Sequence, residues 1–217
     1  MPESGVPLVP MDDVLTYEEI ALVARAALGL GVRRFRLTGG EPLARRGLAA
    51  LVGQLAGLGP DDLALTTNGL RLAESAAELK AAGLRRVTVS LDTLRRDRFE
   101  TITRRTGLDR VFAGLEAARA AGLGPVKVNT VVIRGLNDDE VLDFVRFAEK
   151  EGLEVRFIEL MPTSGFGSEC KELGAWRPAL SVKGGEVRAR IVEAFGPLER
   201  LPDAEGVADA YLLNGRT

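Results

Sequence analysis

One unit recurs along this chain and limits what it can fold into: a helical apolar stripe, then a short β-branched run that ends in small polar residues. The first helix opens at Thr16-Tyr17-Glu18-Glu19, a capping box in which a Thr hydroxyl and a Glu carboxylate satisfy free backbone N–H groups. Its apolar stripe takes in Ile20, Val23, Ala27 and Leu30, and Gly29 and Gly31 end it. Residues 32–38 then read as a strand running into Gly39-Gly40. The pattern predicts further helices at 47–57, 72–82, 94–103, 109–121 and 137–151, the last capped by Asn137. Strands are predicted at 63–67, 86–91, 126–133 and 153–160. Five such βα-type repeats imply a parallel sheet with helices outside it.

A doubly wound sheet and a (β/α) barrel both satisfy that alternation, and the polar residues help to choose. Strands covered on both faces should be almost wholly apolar, yet Arg36, Lys127 and Arg156 interrupt theirs. Polar side chains also gather where strands end, at Thr38, Thr66, Thr67, Asn68, Ser90, Asp92, Asn129 and Glu159. That distribution suggests a lumen lined from several directions, with a site at the C-terminal mouth. A partial parallel (β/α) barrel is therefore expected over residues 1–161. Beyond it, residues 162–185 are long, Gly-rich and aperiodic, the pattern of a lid loop. An amphipathic helix at 186–195 and a tail that reads as a connection complete a second region, 162–217.

Composition excludes several kinds of chemistry. The 217 residues contain no histidine, which removes imidazole general bases and histidine metal sites. The one cysteine, Cys170, allows no internal disulfide and no site built from several thiolates of this chain. With 29 basic and 31 acidic residues, nothing marks a nucleic-acid or membrane-surface binder. The acidic, Pro-rich start has no signal-peptide pattern, and no apolar run reaches the roughly 18 residues of a membrane span. A cytoplasmic protein is the expectation.

Gly39-Gly40-Glu41-Pro42 is the sharpest local motif. Paired glycines let a ligand approach the backbone, although a plain strand-to-helix turn explains a bare Gly-Gly equally well. Thr66-Thr67-Asn68-Gly69 offers hydroxyl and amide contacts, or an ordinary turn. An unpaired buried cation is costly, so Arg36 and Lys127 should face an anionic ligand or a carboxylate such as Glu41, Asp92 or Glu159. A triphosphate suits several cations that converge on one cavity. Asp138-Asp139-Glu140 reads as a solvated helix N-terminus favoured by the helix dipole.

Taken together, RLTGGEPL (36–43), LTTNG (65–69), VSLDTL (89–94), VKVNTVVIRGLND (126–138) and RFIELMP (156–162) resemble one family. They are similar to the GTP 3′,8-cyclases of molybdenum-cofactor biosynthesis, which are radical S-adenosylmethionine (SAM) enzymes. The resemblance implies a radical-SAM partial barrel with SAM and GTP in its lumen and a [4Fe-4S] cluster that cleaves SAM to a 5′-deoxyadenosyl radical. Carried over to this sequence, it implies that Arg36, Thr66 and Lys127 hold GTP. Gly40, Ser90 and the backbone at Met161 would contact SAM. Family members commonly act as dimers, so a homodimer is an open expectation.

The same resemblance brings departures. The family's first cluster motif, C-x3-C-x2-C, ends directly before Met-Pro-Glu, and this sequence begins Met1-Pro2-Glu3. The cysteines of a second cluster are not found either. Five of six βα units are therefore expected, no residue is assigned as catalytic or metal-binding, and the chain as given is expected to lack activity. A non-catalytic GTP- or SAM-binding fragment is the runner-up reading. A phosphate-binding barrel enzyme of another class, with Lys127 and Glu159 as its reactive pair, ranks last.

Overall fold

The computed structural model describes residues 14–161, 178–202, 209–213 and 215. Helix α1 (Tyr17–Gly29) begins with the predicted box: Glu19 N–H donates to the Thr16 hydroxyl at 3.1 Å, and Thr16 N–H donates to the Glu19 carboxylate at 2.7 Å. Its apolar stripe is not buried as the periodicity suggested. Val23 is 60% and Leu30 88% exposed, and only Ala24 is buried. Strand β1 (Arg34–Leu37), α2 (Leu48–Gly57), β2 (Asp62–Thr67), α3 (Leu72–Ala81) and β3 (Arg86–Ser90) follow. Next come α4 (Arg96–Thr103), α5 (Leu108–Ala120), β4 (Lys127–Val132), α6 (Val141–Glu151) and β5 (Glu154–Glu159). The five strands lie in chain order in one parallel sheet, as the alternation predicts.

The chain divides into two compact units. Among the described residues, one takes the chain from residue 14 to Ser90 together with Arg105–Val126; the other takes Leu91–Arg104 and the described residues from Lys127 on. In the first, β1 pairs with β2, and β2 with β3, with Thr66 beside Thr88 in register. Alternation along a strand sends successive side chains to opposite faces. Leu63, Leu65, Val87 and Val89 are buried, as are Leu51, Val52 and Leu55 of α2 and Leu72 and Leu79 of α3. Helices α3 and α5 meet closely at Gly114, where a Cβ would lie 2.8 Å from the Gly69 carbonyl oxygen.

In the second unit β4 pairs with β5, Lys127 beside Glu154 and Asn129 beside Arg156. Its core joins Val132, Val141, Val145, Val182, Val187 and Ile191, with Phe157 and Phe195 packed against them. Helix α7 (Gly184–Phe195) covers this cluster. The tail is more than a connection: Leu198–Leu201 (β6) and Ala210–Leu213 (β7) form an antiparallel pair, and Leu198 and Leu213 add to the same cluster. The expected lid loop falls mostly at 162–177, outside the described residues, as does Cys170. Among the described residues no helix is long and apolar enough to cross a membrane.

The region before α6 departs most from expectation. A 3₁₀ turn at Asp138–Glu140 precedes the helix, and Asn137 makes no side-chain cap bond there. Its amide instead braces neighbouring backbone: Oδ1 accepts from Ile133 N–H at 2.7 Å, and Nδ2 donates to the carbonyls of Asp92 at 2.6 Å and Val131 at 2.8 Å. Glu140, expected in water, has no exposed surface at all. Its carboxylate accepts from the Thr93 hydroxyl at 2.8 Å, Leu94 N–H at 2.8 Å and the Arg98 guanidinium at 2.8 Å. Charge patterning could not reveal this, because the partners lie more than 40 residues away.

Candidate functional site

In the first unit one sheet face carries the polar residues. By strand alternation it bears Arg34 and Arg36 of β1, Asp62 and Thr66 of β2, and Arg86, Thr88 and Ser90 of β3. At the strand beginnings Arg86 and Asp62 form a bidentate ion pair at 2.6 and 2.9 Å. Further along, one nitrogen of the Arg36 guanidinium donates to the hydroxyls of Thr66 at 3.0 Å and Thr88 at 3.1 Å. Ser90 follows at the exposed end of β3, after three buried residues. Arg36 therefore does not suffer the burial penalty that the sequence argument assumed. It is exposed, and the hydroxyls of Thr66 and Thr88 fix its direction.

Two motifs far apart in sequence are joined beside this face. The Glu41 carboxylate accepts from Leu43 N–H at 3.0 Å, the Thr67 hydroxyl at 2.7 Å and Asn68 N–H at 2.7 Å. The Gly-Gly-Glu-Pro turn is thereby pinned to the Thr-Thr-Asn-Gly turn. Asn68 and Thr67 close that second turn on themselves through Leu70 N–H and Gly69 N–H. Neither glycine before Glu41 has an atom within 4 Å of where a Cβ would stand, and Gly39 has φ +146°. The turn thus exposes bare backbone, held at one end by a carboxylate. Glu41, which the sequence offered as a partner for a strand cation, serves instead as the clasp.

In the second unit Lys127, buried at 9% exposure, forms an ion pair with Glu154. The carboxylate partner is thus the register neighbour on β5 rather than Glu41, Asp92 or Glu159. Glu159 instead accepts from Gly184 N–H at 2.8 Å and Lys183 at 3.0 Å at the start of α7. Those two bonds, the backbone one foremost, hold its carboxyl below the ordinary 4.5. Asn129, two residues past Lys127 on the same face, has a buried Oδ1 without a hydrogen-bond partner. Met161 follows β5 and is 67% exposed. Thus Arg36 and Thr66 are in contact, Gly40 and Ser90 stand in the same unit as that pair, and Lys127 and Met161 belong to the other.

Asp92 follows the exposed end of β3 and accepts from Val131 N–H at 2.8 Å. Burial pushes its carboxyl up from the ordinary 3.8, and the Val131 bond opposes that only in part. A raised carboxyl pKa means the fold favours the neutral form. Asp92 therefore contributes stability below pH 3.8 that is lost as pH rises through its folded value. Asp92→Asn keeps the acceptor and removes the charge, so its melting temperature at pH 7 is expected to equal or exceed the parent's. The gain should shrink as thermal scans approach pH 4.

Comparison with known proteins identifies the family of the chain. Residues 5–148 match the Radical SAM superfamily. A GTP 3′,8-cyclase of Moorella thermoacetica is 50% identical over 204 residues, 94% of this chain and 60% of that protein. One from Pelotomaculum thermopropionicum is 48% identical over 98% of this chain and 64% of its own length. The chain thus spans less than two thirds of these curated relatives. Among solved structures, TYW1 with a lysine-pyruvate adduct superposes with a TM-score of 0.60 at 18% identity, covering 92% of this chain and 68% of that one. A radical SAM methyltransferase from Sphaerobacter thermophilus gives 0.61 at 19%, covering 82% and 54%. These last two establish the fold alone, a partial parallel (β/α) barrel. With five parallel strands in chain order, an open Gly-Gly turn at the end of β1 and a family match over about two thirds of its length, the chain belongs to the radical SAM superfamily.

Proposed function

We propose that this chain carries the GTP- and SAM-handling part of a GTP 3′,8-cyclase, which converts GTP to 3′,8-cyclo-7,8-dihydro-GTP in molybdenum-cofactor biosynthesis. The carrying observation is the Arg36 guanidinium, oriented by Thr66 and Thr88 on an exposed face. In this reading Arg36 and Thr66 receive the triphosphate together with Lys127. The open backbone at Gly40, the Ser90 hydroxyl and the backbone of Met161 receive SAM. Among the described residues no atom stands within 4 Å of where Gly39 or Gly40 would carry a Cβ, which suits a ligand that reads main-chain groups. The same reading puts the protein in the cytoplasm.

Titration of the full chain with GTP and with guanosine tests the reading. GTP is expected to bind more tightly. Arg36→Gln should weaken GTP about 10- to 100-fold, the scale of a charge-assisted phosphate contact, and leave guanosine unaffected. Equal affinity for the two ligands, or an Arg36→Gln variant that binds GTP normally, would sink it.

The resident [4Fe-4S] cluster of the family supplies the electron for SAM cleavage, and this chain's residues do not fit it. The sequence has one cysteine, where such a cluster takes several thiolates. That favours a second reading: the 217 residues by themselves bind without turnover. Anaerobic treatment with iron and sulfide, followed by SAM and a reductant, is expected to yield no 5′-deoxyadenosine. Its formation would overturn this.

A further inference from the structure

Residues 91–94 form no helix or strand, yet the chain fixes every one of them. Leu91 N–H donates to the Asn129 carbonyl at 2.9 Å, and the Leu91 carbonyl accepts from the Thr130 hydroxyl at 2.8 Å. Asp92 is held at its carbonyl by Asn137 and at its carboxylate by Val131. The Thr93 hydroxyl donates to both oxygens of Glu140, at 2.8 and 2.9 Å, and accepts from Arg95 N–H at 3.1 Å. Leu94 N–H donates to the second Glu140 oxygen at 2.8 Å. Glu140 itself is wholly buried. The Arg98 guanidinium meets its charge at 2.8 Å, so the Thr93 and Leu94 bonds hang from a fixed carboxylate.

The segment so fixed directly follows Ser90, the exposed residue that ends β3. Parallel βα sheets present their ligands at this end of the strands. We propose that Glu140, acting through Thr93, is a positioning residue for SAM: it locks the turn after Ser90 and so sets the direction of the Ser90 hydroxyl. This rests on the reading that Ser90 contacts SAM. Outer contacts of this kind commonly change affinity by about 10- to 100-fold when removed.

The test is calorimetric titration of the full chain with SAM and, separately, with GTP, using Ser90→Ala, Thr93→Val, Thr93→Ser and Glu140→Gln. Thr93→Val keeps the shape and loses the hydroxyl; it should weaken SAM about tenfold and change GTP less than about twofold. Thr93→Ser restores the hydroxyl and should recover SAM affinity, a rescue that loss of packing would not show. Glu140→Gln should follow Thr93→Val. If Ser90→Ala weakens SAM while Thr93→Val does not, or if Thr93→Val weakens both ligands equally, the positioning role is wrong and the Ser90 contact stands. If Ser90→Ala has no effect, or the parent chain does not bind SAM, the contact and the positioning role fall together.

Discussion

Replacing Arg98 by Met is expected to lower the melting temperature by about 6–12 °C, corresponding to about 3 kcal/mol in a chain of this size. Arg98 donates to Glu140 at 2.8 Å and to both oxygens of Asp139, at 2.5 and 3.0 Å. Its methylene stem could be replaced by Met; its charge could not. Without the guanidinium, Glu140 keeps the Thr93 and Leu94 donors but remains a carboxylate sealed from water. Removing one partner of a buried pair strands the other, and that sets the size of the effect. Arg95 provides the control. Its guanidinium meets Asp139 at 3.3 Å and both side chains are about half exposed, so Arg95→Met should shift stability by less than about 1 kcal/mol.

The same cluster gives an acid-side signature. Hydrogen bonds from Arg98 hold the Asp139 carboxyl below its ordinary 3.8. A depressed carboxyl pKa contributes stability that is complete above the unfolded value and is lost as pH falls through the folded one. The parent should therefore lose this part of its stability below about pH 4, and the Arg98→Met variant should lose less, since Arg95 and a backbone hydrogen bond are then all that hold the carboxyl down. Thermal scans from pH 5 to pH 2 separate the two cases.

The second large effect is expected in the other unit. Gly114→Val should destabilise by about 3 kcal/mol or more, because its first side-chain carbon would stand 2.8 Å from the Gly69 carbonyl and 3.0 Å from Leu72 Cβ. The obstacle is backbone on one side and the root of a buried side chain on the other, so neither can swing away. Helices α3 and α5 would have to part, and the Thr67–Gly69 turn that rests on this contact would shift with them. Gly53 makes the contrast. It lies within α2 with nothing within 4 Å, so Gly53→Ala should stabilise by about 0.5–1 kcal/mol through helix propensity. Chemical denaturation of both variants checks the pair; equal signs would refute the packing argument.

Much of this architecture is legible in the sequence because it is local. The capping box at Thr16, the strand-helix alternation and the Gly-Gly-Glu-Pro turn each depend on neighbours within a few residues, and each appears where its pattern places it. What stayed hidden depends on register and tertiary partners. Lys127 lies beside Glu154 only because β4 and β5 pair at that offset. Glu140 looks like one more acid in a solvated run until Thr93 and Arg98 arrive from elsewhere in the chain. The exposed stripe of α1 and the exposed Arg36 mislead for the opposite reason: periodicity shows which residues share a face but not whether anything covers it. The likeness of the strand-end motifs to a known family named Arg36 and Thr66 in one set, and in the fold the two share a hydrogen bond.

The brace at Asn137 has a chemical consequence of its own. Three bonds use one acceptor and both donor hydrogens of a single side-chain amide, and the residue is 2% exposed. Hydrolysis of that amide would leave a carboxylate facing the carbonyl oxygens of Asp92 and Val131, turning two attractions into two repulsions. Asparagine is among the residues that heat degrades first. The shelf life of the turn beside Ser90 is thus tied to the survival of one nitrogen atom.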